Sequence, residues 1–473
     1  MGQDLPAAPA ALTISEAAGR LRDGSLSSVE LTRALVARAR AAQDTIAAFN
    51  CFTEEPALEA AERADSDLAN GVDRGPLQGI PLGIKDIIAT RDAPTTANSR
   101  VLDPAWGTRD DATVVRKLRD AGAVILGKLG LHEFAIGWPD PDLGFRIPKN
   151  PWDLTRTPGG SSSGTGAAIA AGLILGGLGT DTGGSIRGPA AYCAISGIKP
   201  TFGRVSKEGC VPLGYSLDNI GPMARTARDC ALMLQVLAGH DPLDPCTVDE
   251  PVPDMLAPLN RSFEGLRIGV PRAYFFDVPE LDDEIRQAVL TAIDAMAAAG
   301  ARVVDVEIPH AALALNAQRV IMCGEAYAYH EPDLRQRPEL YGRYARYQLR
   351  QGVLYSAADY IQAQRVRSLI KVEAERALAS VDVMVTPTAL TVAQTFAGYD
   401  PDALSRMPSF MSIWNLTGLP AISVPCGFSS AGLPLGLQII GRAFDEPTVF
   451  RAADAYQHVT EWHTRTPREA VAA

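Results

Sequence analysis

The residues best suited to chemistry are concentrated at 158–200, which reads PGGSSSGTGAAIAAGLILGGLGTDTGGSIRGPAAYCAISGIKP. Glycine and serine are as frequent there as in a flexible linker, yet the apolar runs AAIAAGLIL and GGLG do not fit a linker. We interpret the segment as a loop over 159–164, a small-residue helix from about 165 to 175, a short strand and a tight loop over 181–185. Glycines in such loops let backbone N–H groups converge on a ligand where a Cβ would collide. We therefore expect the reaction to take place at these two loops.

A serine becomes a nucleophile when a base removes its proton, and lysine is a candidate base in this chain. Lys85 stands in the run GIPLGIKDII, with apolar residues on both sides, where solvated lysines are uncommon. Burial disfavours the charged ammonium, and lowering its pKa from about 10.4 to roughly 7 to 8 costs about 4 kcal/mol, which a large core can absorb. The alternative is that Lys85 pairs with Asp86 or extends its ammonium to the surface.

Common loop motifs fit this segment less well. A dinucleotide fingerprint fails because Ile169 occupies the place of the third small residue in GTGAAI, and no GxxxxGK[ST] phosphate loop occurs. The formal GxSxG at 160–164 would make Ser162 the nucleophile of an α/β-hydrolase. That fold needs a strand before the motif, whereas the preceding NPWDLTRTP is polar and typical of turns.

Four separated pieces of the chain resemble the amidase signature family. They are Lys85 in IKD, Ser161 in GGSSSG, Ser185 in GTDTGGSIR, and the tail GPAAYCAISGIKPTFGRVS. The similarity is specific from about 79 to 221, and the weaker matches TGLPAISVPCGF and GLPLGLQIIGR extend it over nearly the whole chain. The usual GGSSGG reads GGSSSG here, with Ser163 in place of a glycine, which leaves the three matched positions intact.

The resemblance implies a role for each matched residue. Ser185 is the nucleophile, Lys85 is the base, and Ser161, which follows a cis peptide bond in this family, carries the proton between them. Neutral Lys85 takes a proton by way of Ser161 while Ser185 attacks the carbonyl carbon, and the same relay returns the proton to the leaving nitrogen. Water then releases the acid from the acyl-enzyme.

The turn that precedes the nucleophile is expected to hold the oxyanion. Backbone N–H groups of Thr182, Gly183 and Gly184 match the required donors, and losing one such donor typically costs about 100- to 1,000-fold in rate. Asp181 and Arg187 lie in the same motif, and we expect them to brace the loops by hydrogen bonds.

Substrate contacts are expected on both sides of the bridging serine. Gly160 and Ser162 flank it directly. Phe134, Ile136 and Trp138 lie where the family often places the walls of the acyl pocket, although plain core packing would give the same sequence.

The elements that position these residues alternate between helices and buried strands. The sequence SSVE at 27–30 predicts a capping box that opens a helix through residue 42. The runs IPLGIKDII, AVILGKL and GLILGGLGT predict buried strands, and LRIGV, a helix over 283–299 and VVDVEI predict a strand, helix, strand unit. After a helical region over 325–378, strands are predicted at 381–385, 421–425 and 435–440.

We therefore predict an α/β protein with a single mixed β-sheet of about ten or more strands flanked by helices, the amidase signature fold that the resemblance implies. Residues 1–473 are expected to form one domain, because strand signals on both sides of the helical region favour one sheet over separate domains. Within it, 75–230 are expected to form the catalytic core and 245–380 a variable, largely helical insertion on the substrate side.

The net charge and the cysteine content indicate which partners and which cellular compartment to expect. With 44 Lys plus Arg against 55 Asp plus Glu, the net charge of −11 argues against a broad nucleic-acid or anionic-membrane surface. The seven cysteines are widely spaced without a CxxC pair, which indicates a reducing compartment.

His132 and Glu133 lack a second histidine at i+4, so we expect no metal and no cofactor. Residues 1–13 do not resemble a signal peptide and the most apolar window, 166–179, is too short to span a bilayer, so we expect a cytoplasmic protein.

The function expected first is that of an independent amidohydrolase acting on a small-molecule amide: a small or aryl carboxamide, an anilide or a carbamate. Such an enzyme has no nucleic-acid or membrane partner, and a homodimer is a family-based expectation. The alternative is the A subunit, the glutaminase, of a tRNA-dependent amidotransferase, which passes ammonia to a partner. The stretch GWPDPDLGF lacks the polar run that such a glutaminase is expected to carry. A non-enzymatic scaffold is disfavoured, because a buried Lys85 is costly to keep without use.

Overall fold

Eleven strands run through the chain in this computed structural model, which describes residues 11–107, 110–398, 400 and 406–467. They are β1 (Phe49–Phe52), β2 (Pro81–Lys85), β3 (Val124–Leu129), β4 (Gly176–Asp181), β5 (Ser196–Lys199), β6 (Asn219–Ala224), β7 (Arg267–Pro271), β8 (Arg302–Val306), β9 (Val383–Pro387), β10 (Ala421–Phe428) and β11 (Pro434–Ile440). They form one mixed sheet in the order β1-β3-β2-β4-β6-β5-β10-β11-β9-β7-β8. The predicted α/β class with one mixed sheet of ten or more strands is confirmed.

Fourteen helices accompany the sheet within the described part of the chain. They are α1 (Ile14–Arg22), α2 (Ser28–Ala42), α3 (Glu54–Ala69), α4 (Thr113–Asp120), α5 (Ser163–Ala170), α6 (Arg187–Cys193), α7 (Ala227–Leu237), α8 (Arg272–Phe275), α9 (Asp283–Ala298), α10 (Ala314–Gln336), α11 (Arg343–Arg350), α12 (Ala357–Ser380), α13 (Ser412–Thr417) and α14 (Glu446–His458). Among the described residues, no helix is both long and apolar enough to cross a membrane.

The parallel pairing of β2 with β4 determines where the site forms. Both strands are buried along their whole length, as their nearly continuous apolar and glycine residues predict. Because parallel strands end at the same edge of a sheet, Lys85 at the end of β2 lies beside the turn that follows β4. The helix α5 packs against both strands, which brings the serine loop before it to the same edge.

The two halves of the chain meet inside the sheet. β5 pairs with β10 in antiparallel register, Ile198 opposite Ile422. β11, the last strand of the sequence, lies between β10 and β9 in the interior. The strands β7 and β8 of the region 245–380 also belong to this sheet, while the division into a core and an insertion stays a prediction.

Local predictions differ in their outcome. The capping box is confirmed: the Ser27 hydroxyl accepts from the Glu30 amide, and the Glu30 carboxylate accepts from the Ser27 amide. The small-residue helix predicted to reach about residue 175 ends at Ala170, and Gly172 takes a positive φ of 67° in the loop that follows. Of the segment 1–13, the first ten residues lie outside the described residues.

Candidate active site

Lys85 is fully buried, and its side-chain nitrogen contacts three hydroxyl groups. Its Nζ donates to Ser161 Oγ at 2.8 Å, to Ser162 Oγ at 3.0 Å and to Thr180 Oγ1 at 2.7 Å. Burial lowers the pKa of Lys85 to about 7, while more distant acidic groups, among them Asp181, oppose the shift. About half of the Lys85 side chains are therefore uncharged near neutral pH and able to take up a proton.

The alternative arrangement, in which Lys85 pairs with Asp86, does not occur. The Asp86 carboxylate faces Lys128 instead, with Oδ1 at 3.1 Å from Nζ. It also accepts hydrogen bonds from Asn50 and Thr96. Asp86, the acidic residue next to Lys85 in the sequence, thus pairs with another lysine.

The serine loop brings Ser161 to Lys85. The peptide bond between Gly160 and Ser161 is cis, as the resemblance implies. A Cβ added at Gly160 would lie 2.0 Å from Cε1 of His132, so no larger residue fits there. The ring of His132 thus packs directly on this glycine, and the His132 amide donates to the carbonyl of Ser161 at 3.2 Å.

Ser185 lies partly exposed in the turn between β4 and α6 and lines the same cavity as Ser161. Its carbonyl accepts from the amide of Ser162 at 3.3 Å, which holds the two loops together. Among the hydrogen bonds of the described residues, none joins the hydroxyls of Ser161 and Ser185. The structure therefore brings Lys85 and Ser161 into contact and places Ser185 beside them in the cavity wall.

A buried ion pair braces the turn that carries Ser185. Asp181 accepts from Arg187 Nη2 at 3.0 Å and Nε at 3.1 Å, and from the amide of Gly184 at 2.7 Å. Burial raises the pKa of Asp181, but the charge and hydrogen bonds of Arg187 outweigh it and hold that pKa well below its usual range. Arg187 also donates to Asn415 and Gln438, so strands and helices from the second half of the chain fix this turn.

This bracing involves one of the predicted oxyanion donors. The N–H of Gly184 donates to Asp181 in the structure, and its role toward an oxyanion stays a prediction. A Cβ at Gly184 would also lie 2.7 Å from Met411 Sδ, at a φ of 127°. Thr182 and Gly183 both line the cavity.

The cavity has a volume of about 480 Å³, and three of the five residues predicted to contact substrate line it. Gly160, Ile136 and Trp138 lie in its wall. Ser162 lies instead beneath the surface against Lys85. Phe134 points into the core, where its ring packs against His330 at 4.4 Å between centroids, and it does not line the cavity.

Several cavity residues were not predicted from the sequence. His132 is one of them; burial lowers its pKa to about 4 and its Nδ1 lies 2.9 Å from the carbonyl of Gly137. The others come from helices whose approach to the site depends on tertiary packing, and a Tyr- and Arg-rich composition was their only signal. They include Gln318, Arg319, Met322, Cys323, Tyr347, Gln348, Gln351 and Tyr355.

Comparison with known proteins gives close relatives over the whole length. The Amidase family model matches residues 30–450. The A subunit of a glutamyl-tRNA(Gln) amidotransferase from Roseiflexus sp. (strain RS-1) is 46% identical, over 96% of this chain and 98% of that protein. The crystal structure of the corresponding A subunit from Thermotoga maritima is 32% identical with a TM-score of 0.82, covering 99% and 100% of the two chains. The native peptide amidase of Stenotrophomonas maltophilia is 32% identical with a TM-score of 0.83, covering 96% and 97%.

These relatives overturn two predictions. An independent amidohydrolase for a small or aryl carboxamide is the wrong first function, because the curated relatives at 41% to 46% identity carry the name of an amidotransferase component. The expected partner set, a small amide and a homodimer without nucleic acid, is contradicted by the same names. The family and the enzymatic character are confirmed: the chain belongs to the amidase signature family of enzymes, which act on C–N bonds.

Proposed function

We propose that this chain is the A subunit of a glutamyl-tRNA(Gln) amidotransferase, which releases ammonia from an amide for use by its partner subunits. The observation that carries the proposal is the 46% identity to such a protein over 96% of this chain and 98% of the relative. The seven free cysteines support a reducing, cytoplasmic setting for this activity.

In this proposal Ser185 is the nucleophile, Ser161 the relay and Lys85 the base. Uncharged Lys85 takes the proton of Ser161, Ser161 takes that of Ser185, and the Ser185 oxygen bonds to the amide carbon. The relay returns the proton to the nitrogen, which leaves as ammonia, and water then cleaves the acyl-enzyme to the acid. The short contact between Lys85 and Ser161 supports the first step. In this proposal the hydrogen bond between the hydroxyls of Ser185 and Ser161 forms when substrate binds, as catalytic hydrogen bonds often do.

The backbone N–H groups of Thr182 and Gly183 are the proposed oxyanion donors. Both residues line the cavity beside Ser185, and the hydrogen bond that the Gly184 N–H donates to Asp181 fixes the turn around them. Preorganised donors of this kind stabilise the negative charge that develops on the carbonyl oxygen. Gly160, Ile136 and Trp138 are the proposed walls around the amide.

The test is reconstitution with the companion subunits encoded in the genome of origin, followed by conversion of glutamyl-tRNA(Gln) to glutaminyl-tRNA(Gln). We expect conversion with glutamine as nitrogen donor, and also with ammonium chloride. Ser185→Ala should abolish the glutamine-dependent reaction, by at least about 10⁴-fold for loss of a nucleophile, and keep the ammonium-dependent one.

Ser163→Gly is the matched control, since it changes a neighbouring serine to the residue more usual in the family. It should preserve both reactions. The proposal is wrong if the genome encodes no companion subunits, if the companions do not assemble with the chain, or if Ser185→Ala still uses glutamine at the wild-type rate.

A further inference from the structure

Gln318 reaches the reactive turn from the helical region of the chain. It lies on α10, is buried, and lines the cavity together with Thr182, Gly183 and Ser185. Its Nε2 donates to the carbonyl of Thr182 at 3.1 Å. A Cβ added at Gly183 would lie 3.0 Å from the same nitrogen, so the side-chain amide of Gln318 lies directly against this part of the turn.

The hydrogen bond to the Thr182 carbonyl also fixes the direction of the Gly183 N–H. Both groups belong to one peptide unit, which is trans and planar, so they point in opposite directions. Because the carbonyl points towards α10, the N–H points away from that helix. In the described part of the chain no hydrogen bond uses this N–H as its donor, and Gly183 lines the cavity. The N–H therefore remains available to a ligand of the cavity.

The neighbouring peptide unit is held in the same way. Asn415 Nδ2 donates to the carbonyl of Asp181 at 2.9 Å, and the N–H of that unit belongs to Thr182, the other proposed oxyanion donor. Asn415 also donates to the Asp181 carboxylate at 2.9 Å, so its replacement would disturb the ion pair that braces the turn. Among the described residues, Gln318 Nε2 donates only to the Thr182 carbonyl and, at 3.5 Å, to Met322 Sδ. Replacing Gln318 therefore tests one donor alone.

We propose that Gln318 is a positioning residue, which holds the peptide between Thr182 and Gly183 so that its N–H meets the carbonyl oxygen of the substrate. Gly183 and Gly184 make this stretch of backbone permissive, so the direction of the peptide needs an external group to hold it. A donor that is already oriented stabilises the developing negative charge without a reorganisation cost during the reaction. The inference rests on the proposed acyl transfer at Ser185.

The test measures the acylation of Ser185 by p-nitrophenyl acetate in the isolated full-length chain. The Ser185 oxygen bonds to the acetyl carbon, its proton passes to the relay, and p-nitrophenolate leaves and is followed by absorbance. The rate in Ser185→Ala is subtracted, because other nucleophiles also react with the ester. This substrate has no leaving amine and needs no companion subunit, yet its acyl transfer develops the same oxyanion.

Gln318→Met keeps the length of the side chain and removes its donor. It should lower the maximal acylation rate about 10- to 100-fold, somewhat less than the complete loss of an oxyanion donor. The half-saturating ester concentration should change less than about threefold, because the interaction forms in the transition state. Gln336→Met, the same change at the exposed end of α10, is the matched control and should keep the wild-type rate.

Gln318→Glu distinguishes hydrogen-bond donation from shape. A carboxyl group has nearly the shape of the amide, but it donates only when protonated. Between about pH 6 and 9 the acylation rate of this variant should be lower than that of wild type, and their ratio should fall further as pH rises. A purely structural role for Gln318 would not produce this dependence.

Wild-type acylation in Gln318→Met, or a loss that appears only in the half-saturating concentration, would overturn the inference. Thermal unfolding identifies a variant that has lost its fold. If Gln318→Met is such a variant, the same rate in Gln318→Glu and wild type at every pH would overturn the inference instead.

The measurement is independent of the proposed amidotransferase role. If reconstitution fails to convert glutamyl-tRNA(Gln) while Gln318→Met slows acylation, the proposed function is lost and the role of Gln318 stands. If conversion succeeds while Gln318→Met acylates at the wild-type rate, the proposed function stands and the role of Gln318 is removed.

Discussion

Two buried lysines end two strands of one sheet, and one of them is the proposed base. Lys85 ends β2 and Lys199 ends β5, and burial lowers the pKa of both from 10.5 to about 7. Among the described residues, Lys199 Nζ donates only to the carbonyl of Pro200, at 2.8 Å, and a carbonyl oxygen can pass no proton on. Lys85 faces three hydroxyls, one of which lies in the cavity wall. We therefore expect a lowered pKa to make an amine a base only where a hydroxyl leads from the amine to the substrate.

The strongest way to break this comparison is to replace each lysine with methionine. Lys85→Met should lower the kcat of amide cleavage by about 10²- to 10⁴-fold, the usual contribution of a general base. Lys199→Met should stay within about threefold of wild type, since a residue outside the relay has no part in the barrier. Ammonia release gives both rates, and thermal unfolding identifies a variant that has lost its fold. Equal losses in the two variants would refute the distinction.

The pH dependence of kcat should also distinguish Lys85 from Lys199. Only uncharged Lys85 accepts a proton, so kcat should rise about tenfold per pH unit below its pKa of about 7 and level off above it. Lys199→Met should leave this inflection in place. A kcat that is flat between about pH 5.5 and 8 would exclude a base with the pKa of Lys85.

Stability should not distinguish the two lysines. Between pH of about 7 and 10.5 the unfolded chain binds a proton at each site that the folded chain does not. The free energy of unfolding attributable to each lysine therefore increases as pH rises through this window. Lys85→Met and Lys199→Met should each remove a similar part of that increase, measured by denaturant unfolding at several pH values. An increase that neither substitution reduces would contradict the lowered pKa values.

Of the two serines that contact Lys85, Ser162 is expected to give the smaller loss when replaced by alanine. Ser162 accepts from Lys85 at 3.0 Å and donates to the carbonyl of Thr180 at 3.2 Å, so it orients the amine without lying in the cavity wall. Losing one such neutral bond should lower kcat about three- to tenfold. Ser161→Ala, assayed in parallel for ammonia release, should cost far more. A reversed order would make Ser162 the relay.

The sequence predicted the parts of the site that depend on local pattern. β2 follows from an unbroken apolar run, and the contact between Lys85 and Ser161 follows from matched motifs on two elements that end at one edge. The strands β1, β5 and β6 were not predicted, because they are short or contain Gly and Pro, which weakens their signal.

The directions of side chains, and the contacts between elements that are distant in the sequence, could not be predicted in the same way. Phe134 and Ile136 are two residues apart, yet one packs in the core and the other lines the cavity, because Phe134 adopts a positive φ of 47°. The hydrogen bond that the Gly184 amide donates depends on the rotamer of Asp181. Arg319 reaches the cavity only because α10 packs over the reactive turn.

The interior place of β11 bears on how the protein is synthesised. A ribosome releases β2, β4 and the serine turn long before Gln438 of β11 emerges, yet Gln438 accepts a hydrogen bond from Arg187, which braces that turn. Nascent chains therefore carry their reactive serines without this support until translation is nearly finished. A chain that ends between β10 and β11 lacks an interior strand, which leaves one edge each of β10 and β9 unpaired and open to association with other chains.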